Sequence, residues 1–462
     1  MKRFLLFSLI SFHLFADNQT TDLSPILPQD DLPYTIEFET ASFSLPTGIQ
    51  GHAVANYKGK WVFVAGRTNG LHGFANSGNN FPPSEQNKTI YVTDPATGVT
   101  LSRSLEDASS ELSQEEIDDL SVVAPEFYQK GSTLYFVGGY GFNNGTGNME
   151  TKPRLTAIDL KKLISWVETG APSVKSAIKQ VTDEFFRVTG GALFQSDPHH
   201  PFLLMLGQNF PGLYTPGSNG IYTQQIRAFW VVDDGNEIKV TKKEDPVTLD
   251  DWRRRDLNVV PILNDNRPSY VALSGVFTLS FGIWTVPLFI NPDGSSFQPD
   301  PNNPNTFKQG MNNYITANFG MYSVKNKLMH VILAGGISFG YFDGGTFTTD
   351  SNIPFINQAT AITIDKKQNF TQYLLDNEYP VIPSTGPNAG NPLLFGAEAV
   401  FFPAKDIPLF YNGVIQMDKL PKTPTVLGYI ASGIMSTVPN TSSTADSTAS
   451  PYVFVVKWVP KT

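Results

Sequence analysis

The chain of 462 residues contains no cysteine, which excludes disulfide staples, thiolate metal sites and a cysteine nucleophile together. It is also poor in positive charge: 33 Lys and Arg stand against 42 Asp and Glu, for a net charge of −9. Duplex DNA and anionic membranes are bound through clustered positive charge. The one basic run, Arg253-Arg254-Arg255, is enclosed by Asp250, Asp251 and Asp256, so neither nucleic acid nor membrane is an expected partner. Beyond the N-terminus no stretch reaches the roughly 18 uninterrupted apolar residues of a membrane span. A Gly-rich loop between strand and helix and a His-Glu-x-x-His stretch are both missing, which removes support for nucleotide chemistry and zincin proteolysis. No cofactor and no metal are expected, and the chain reads as a monomer.

What is present begins with Lys2-Arg3, an apolar stretch from Phe4 to Phe15, and Ala16 before Asp17. This is the basic, apolar and small-residue order of a secretory signal cleaved near Ala16, and it implies a secreted or periplasmic protein. Residues 17–33 read as an N-terminal linker and 34–462 as one domain. Abundant Gly (38) and Pro (34), with short apolar segments bounded by turn residues, indicate an all-β chain.

One unit recurs six times: an apolar strand that ends in a small-residue pair, preceded by a shorter strand and a polar turn. The pairs read from the sequence are Gly66-Arg67, Gly138-Gly139, Gly207-Gln208, Ser274-Gly275, Gly335-Gly336 and Ser432-Gly433. A third strand follows a variable loop and in four copies ends on Asp: Asp94, Asp159, Asp233 and Asp365. Such an Asp can accept backbone N–H groups of the next turn. Ser113-Gln114-Glu115-Glu116 is a capping box opening a short helix, and Leu160–Val167 forms another that ends before Gly170. Residues 440–450, rich in Ser and Thr, read as a flexible loop.

This pattern of hairpin, Gly-Gly, loop and Asp-terminated strand resembles the kelch repeat. The resemblance implies a six-bladed β-propeller; two β-sandwich domains are the competing arrangement. The last copy ends on its third strand, while Tyr34–Phe43 alternates apolar and polar residues and has no blade of its own. That strand is expected to join the last blade and close the ring, with Ile36–Phe38 opposite Phe454–Val456.

In kelch-like propellers the loops after the second strands and the connections between blades share one face, where ligand sites form. There the long loops supply Arg67, His72, Gln208, Phe210 and Tyr214, the candidate ligand-binding residues. Aromatic plates beside amide donors suit sugar rings and hydroxyls, although such aromatics can equally pack their own loop. His52, Arg67, Glu126, Arg255 and Glu398 are the candidates if the protein is an enzyme, since carboxyls, a histidine and arginines around one funnel can hold an anion and move a proton. His199-His200 lie between prolines in a turn and are not read as a metal pair, and His330 is read as a core residue.

Copper oxidases of the kelch type need a Tyr-Cys cross-link, so that activity is excluded. The leading expectation is an exported propeller that recognises a carbohydrate or protein ligand without chemistry. The alternative is a periplasmic sugar-modifying enzyme similar to kelch mutarotases of sialic acid, with an arginine on the carboxylate and Glu398, Glu126 or His52 as acid or base. A structural or adhesive role is a third possibility.

Overall fold

The computed structural model describes residues 23–215, 220–243, 246–280 and 282–461; the expected signal segment lies outside them. Each repeat folds into an antiparallel sheet whose first strand runs beside a common axis. The first sheet contains Ala53–Tyr57, Lys60–Val64, Thr89–Asp94 and Val99–Ser104 in spatial order, and the second, third and fourth repeat that order. Apolar cores fill the spaces between successive sheets, one example being Phe186, Phe202 and Phe229 between the second and third. The last and first sheets also share a core, where Trp61 stacks on Phe402 at 4.5 Å. Radially arranged sheets packed face to face around an axis are a β-propeller.

The expectation of six blades is corrected to five four-stranded blades; the sheet of the fifth repeat has six strands. Ile26–Pro28, placed by the sequence in a linker, pairs in parallel with Gln372–Leu374 on its outer edge. Ile415–Gln416, from the long insertion of the last repeat, pairs in parallel with Met321–Tyr322 on its inner edge. The last sheet takes the N-terminal strand Tyr34–Thr40 against Phe454–Pro460. Phe38 stands opposite Val456 and Ile36 opposite Trp458, two residues from the expected register. This places Tyr34 on Trp458, with ring centroids 4.6 Å apart, in a fully buried stack.

The small-residue pairs have a stereochemical cause. Both residues of each pair have positive φ, and in every repeat the second is glycine: Gly66, Gly139, Gly207, Gly275, Gly336 and Gly433. In five repeats the N–H of that glycine donates to a carbonyl of the following repeat, as in Gly66 to Val122 at 2.7 Å and Gly433 to Ile49 at 2.8 Å. A Cβ on Gly433 would stand 2.4 Å from the Ala397 oxygen, so neither the dihedral nor the space admits another residue. The first position tolerates side chains, being Ala65 (φ 63°) and Leu206 (φ 63°) in repeats one and three. The pairs there are Ala65-Gly66 and Leu206-Gly207, one residue upstream of the sequence reading.

The remaining local expectations have visible partners. Asp94, Asp233 and Asp365 accept N–H groups from Ala96, Gly235 and Lys367, and Asp159 caps the helix Leu160–Thr169. Ser113 and Glu116 form a reciprocal capping box on the helix Gln114–Asp119. Within 440–450, expected to be loop throughout, Ser447–Ala449 pairs with Ile434–Ser436. No helix among the described residues is long and apolar enough to cross a membrane.

Candidate functional site

Six residues ring the axis, one just before or within two residues of each first strand: Gly51, Ala124, Gly190, Asp256, Ile315 and Glu398. All have left-handed φ, between 44° and 70°. Ala124 N donates to Gly51 O, Gly190 N to Ala124 O, Asp256 N to Gly190 O and Glu398 N to Ile315 O, at 2.6–3.2 Å. Glycine fills two of these seats at no cost, whereas a residue with a Cβ loses roughly 1–2 kcal/mol in this conformation. Asp256 and Glu398 are therefore carboxyls that the chain holds at the axis against its own backbone preference.

The ring separates two cavities and lines both. On the loop side, in five of the six repeats the residue before the seat bridges to the residue after the glycine pair: Gln50 to Arg67, Val123 to Tyr140, Thr189 to Gln208, Arg255 to Val276 and Tyr314 to Ile337. All of these except Arg67, with residues of the long loops, enclose a cavity of about 160 Å³. Arg255 is its cation. The guanidinium Nε lies 3.5 Å from the Asp256 carboxylate, and the group shares a hydrogen bond with the Tyr214 hydroxyl. Burial alone would lower its pKa, but Asp256 and the Tyr222 and Tyr214 hydroxyls push it above the usual arginine value.

His72, Gln208, Phe210, Tyr214, Arg255 and Glu398, expected from the sequence, all line this cavity. The loop aromatics lock onto one another: the His72 ring is 4.6 Å from Tyr214, and Phe210 is 5.3 Å from it. Asn80 donates to the Tyr214 carbonyl across the two loops at 3.0 Å. His72 Nδ1 donates to the Gly73 carbonyl at 2.8 Å, and burial lowers its pKa to about 4, so the ring is neutral. Gln208 Oε1 is buried without a hydrogen-bond partner.

Arg67 does not line the cavity. It lies behind Phe81, 5.1 Å over that ring, bonded to Asn69 Oδ1 and the Pro82 carbonyl, with Nη1 unpartnered. Burial lowers its pKa to about 10, leaving it charged and near the Tyr140 hydroxyl. Tyr140, Phe81, Tyr314, Phe277 and Asp256 also form the wall, and the sequence reading missed them. Once the glycine pairs are aligned on their second residue, the positions flanking the ring pick out Tyr140, Tyr314 and Asp256.

Glu398 faces both cavities, is half-buried and accepts the Gly51 N–H. Burial, followed by the Asp256 charge, raises its pKa to about 8. His52 and Glu126, expected in the same funnel, lie across the ring instead and line only the strand-side cavity. They stand one and two residues beyond the seats Gly51 and Ala124, which carries their side chains past the ring. Glu126 Oε1 accepts the Gly191 N–H at 2.8 Å, Oε2 has no partner, and burial raises its pKa to about 8. His52 Nε2 is 3.1 Å from Ser432 Oγ, and burial lowers its pKa to about 3.

No group of three or more metal-ligating side chains occurs among the described residues. His200 is tied to Asp197 at 2.8 Å in its turn. His330 is buried with Nδ1 3.0 Å from the Tyr34 hydroxyl.

No family model matches the chain, and no curated protein does. Among solved structures, one titled "Structure of YjhT" is similar over 89% of this chain and 96% of that one, at 10% identity and a TM-score of 0.44. Values that low carry no argument about function. On the arrangement of its own sheets, the chain is an all-β propeller.

Proposed function

We propose that the loop-side cavity binds one small acidic carbohydrate, with Arg255 on the carboxylate and the Tyr140, Phe210 and Tyr214 rings against the sugar. The observation that carries this reading is a buried, charged guanidinium facing a ring-sized cavity walled by aromatics and by the unpartnered amide oxygen of Gln208. Guanidinium matches carboxylate in two-pronged geometry, and aromatic faces cover the apolar side of a sugar. A protein ligand is less well served, because the loop aromatics pack on one another and leave a cavity of about 160 Å³. Export through the N-terminal signal, and a kelch-like ring clasped by its N-terminal strand, belong to the same reading; the pairing of Tyr34–Thr40 with the last strand supports the clasp.

The experiment is saturation-transfer NMR with sialic acid, a hexuronic acid and the corresponding neutral hexoses, on the wild type and Arg255→Ala. Acidic sugars should show transfer that the variant loses. Equal transfer from both proteins would sink the assignment.

A second reading is anomer exchange on the same sugar, and Glu398 favours it. This carboxyl occupies a seat where glycine serves in two other repeats, and it carries a proton near neutrality. Acids and bases work best with a pKa near the operating pH. Glu398 would protonate the ring oxygen as the anomeric C–O bond breaks, while the anomeric hydroxyl gives its proton to solvent water and becomes the carbonyl; closure on either face runs both transfers in reverse. Exchange spectroscopy should show an anomer interconversion rate that falls at least tenfold in Glu398→Gln; an unaccelerated rate with wild type leaves binding alone.

A further inference from the structure

From the cavity on the strand side of the axial ring we infer a second ligand site, for an uncharged polyhydroxylated molecule the size of a monosaccharide. At about 380 Å³ this cavity is larger than the loop-side one. No Lys or Arg lines it, so nothing there attracts an anion. Its ionisable groups are also quiet at neutral pH: Glu126 and Glu398 hold protons, His52 is neutral, and Asp256 is held by Arg255.

Two buried side chains show what the site lacks. His52 Nε2 lies 3.1 Å from Ser432 Oγ, and its Nδ1 has no partner in a residue only 4% exposed. Glu126 is 2% exposed; its Oε1 already accepts the Gly191 N–H, so the proton sits on Oε2 as an unused donor. Buried groups of this kind are normally satisfied. An unpartnered imidazole nitrogen and an unpartnered carboxyl oxygen on adjacent repeats are the complement of a pair of hydroxyls, each of which can give or receive. Tyr128, Phe194 and Phe401 on the same lining offer apolar faces for the C–H side of such a ring.

The site is independent of the acidic-sugar reading, because it uses neither Arg255 nor the loops. Its test is saturation-transfer NMR with D-glucose and myo-inositol on the full chain, followed by soaking each into crystals. Expected are transfer at millimolar ligand, density between His52 and Glu126, a binding loss of at least tenfold in His52→Phe, and retention in Glu126→Gln, which keeps a donor at Oε2. Ordered water alone in the soaked strand-side cavity would overturn the inference, as would density for the neutral ligand on the loop side instead. Should His52→Phe fail to fold, the soaked density and Glu126→Ala carry the same decision.

Discussion

Replacing Glu126 by glutamine should flatten the pH dependence of stability. In the fold its carboxyl has a pKa raised from 4.5 to about 8, chiefly by burial, with Asp256 repelling it further and Arg227 and two backbone N–H groups opposing. A folded state that binds the proton more tightly than the unfolded chain is most favoured when the proton is present. The contribution is complete below about pH 4.5 and is lost as pH climbs through about 8. At about 1.4 kcal/mol per unit the ceiling is roughly 5 kcal/mol; water entry and relaxation bring the expected value nearer ~2–3 kcal/mol. Glu398 acts in the same direction, but it faces open cavity and contributes less. Glutamine keeps the Oε1 acceptor for Gly191 and nearly the same shape, so the packing is preserved. Urea unfolding followed by the fluorescence of buried Trp61 and Trp166 at pH 5 and pH 9 gives the four free energies needed. Wild type should lose at least ~2 kcal/mol more than Glu126→Gln across that interval. Parallel losses within ~0.5 kcal/mol would refute the buried, protonated Glu126.

Gly433→Ala should cost at least ~3 kcal/mol, because its φ of 87° and the Ala397 oxygen 2.4 Å from a new Cβ both oppose the change. Gly59→Ala, with a similar φ of 82° but open space around it, should cost only ~1 kcal/mol; equal melting temperatures for the two variants would contradict the packing argument. Removing residues 23–40 strips Tyr34 from Trp458 and bares the edge of Val453–Pro460, so the shortened chain should aggregate on light scattering while the intact chain stays dispersed. Arg255→Lys keeps the charge and loses the two-pronged geometry; calorimetry with an acidic sugar should show affinity reduced by about tenfold or more.

The strand pattern was legible because every repeat needs glycine at one stereochemically fixed place, and glycine is visible. What misled in repeats one and three was the other half of the pair. Ala65 and Leu206 adopt left-handed φ, a conformation that sequence reading assigns to glycine, so the pair slipped one residue onto Arg67 and Gln208. Ile26–Pro28 escaped because three residues carry no periodicity, and their partner lies some 346 positions away. At the site, His72, Gln208, Phe210, Tyr214, Arg255 and Glu398 were found together, since they follow or precede recognisable turns, whereas Asp256 was not. His52 and Glu126 were assigned to the wrong cavity because one or two residues along a first strand carry a side chain past the ring, and nothing in the sequence marks the plane of that ring.

The glycine N–H groups that reach from one repeat into the next do more than fasten the repeats. An open array of repeats can fray from its ends, but here Gly433 donates to Ile49 and joins the last repeat to the first. The walls of the axial cavities are thus braced at five of the six junctions between repeats and enter binding largely in shape, so little conformational entropy is lost when a ligand arrives. The same stiffness makes the protein a strict judge of size. A ligand one substituent too large meets backbone that cannot spread, and new specificities should arise from changes in the loops at 67–88 and 209–222 while the seats around the axis stay as they are.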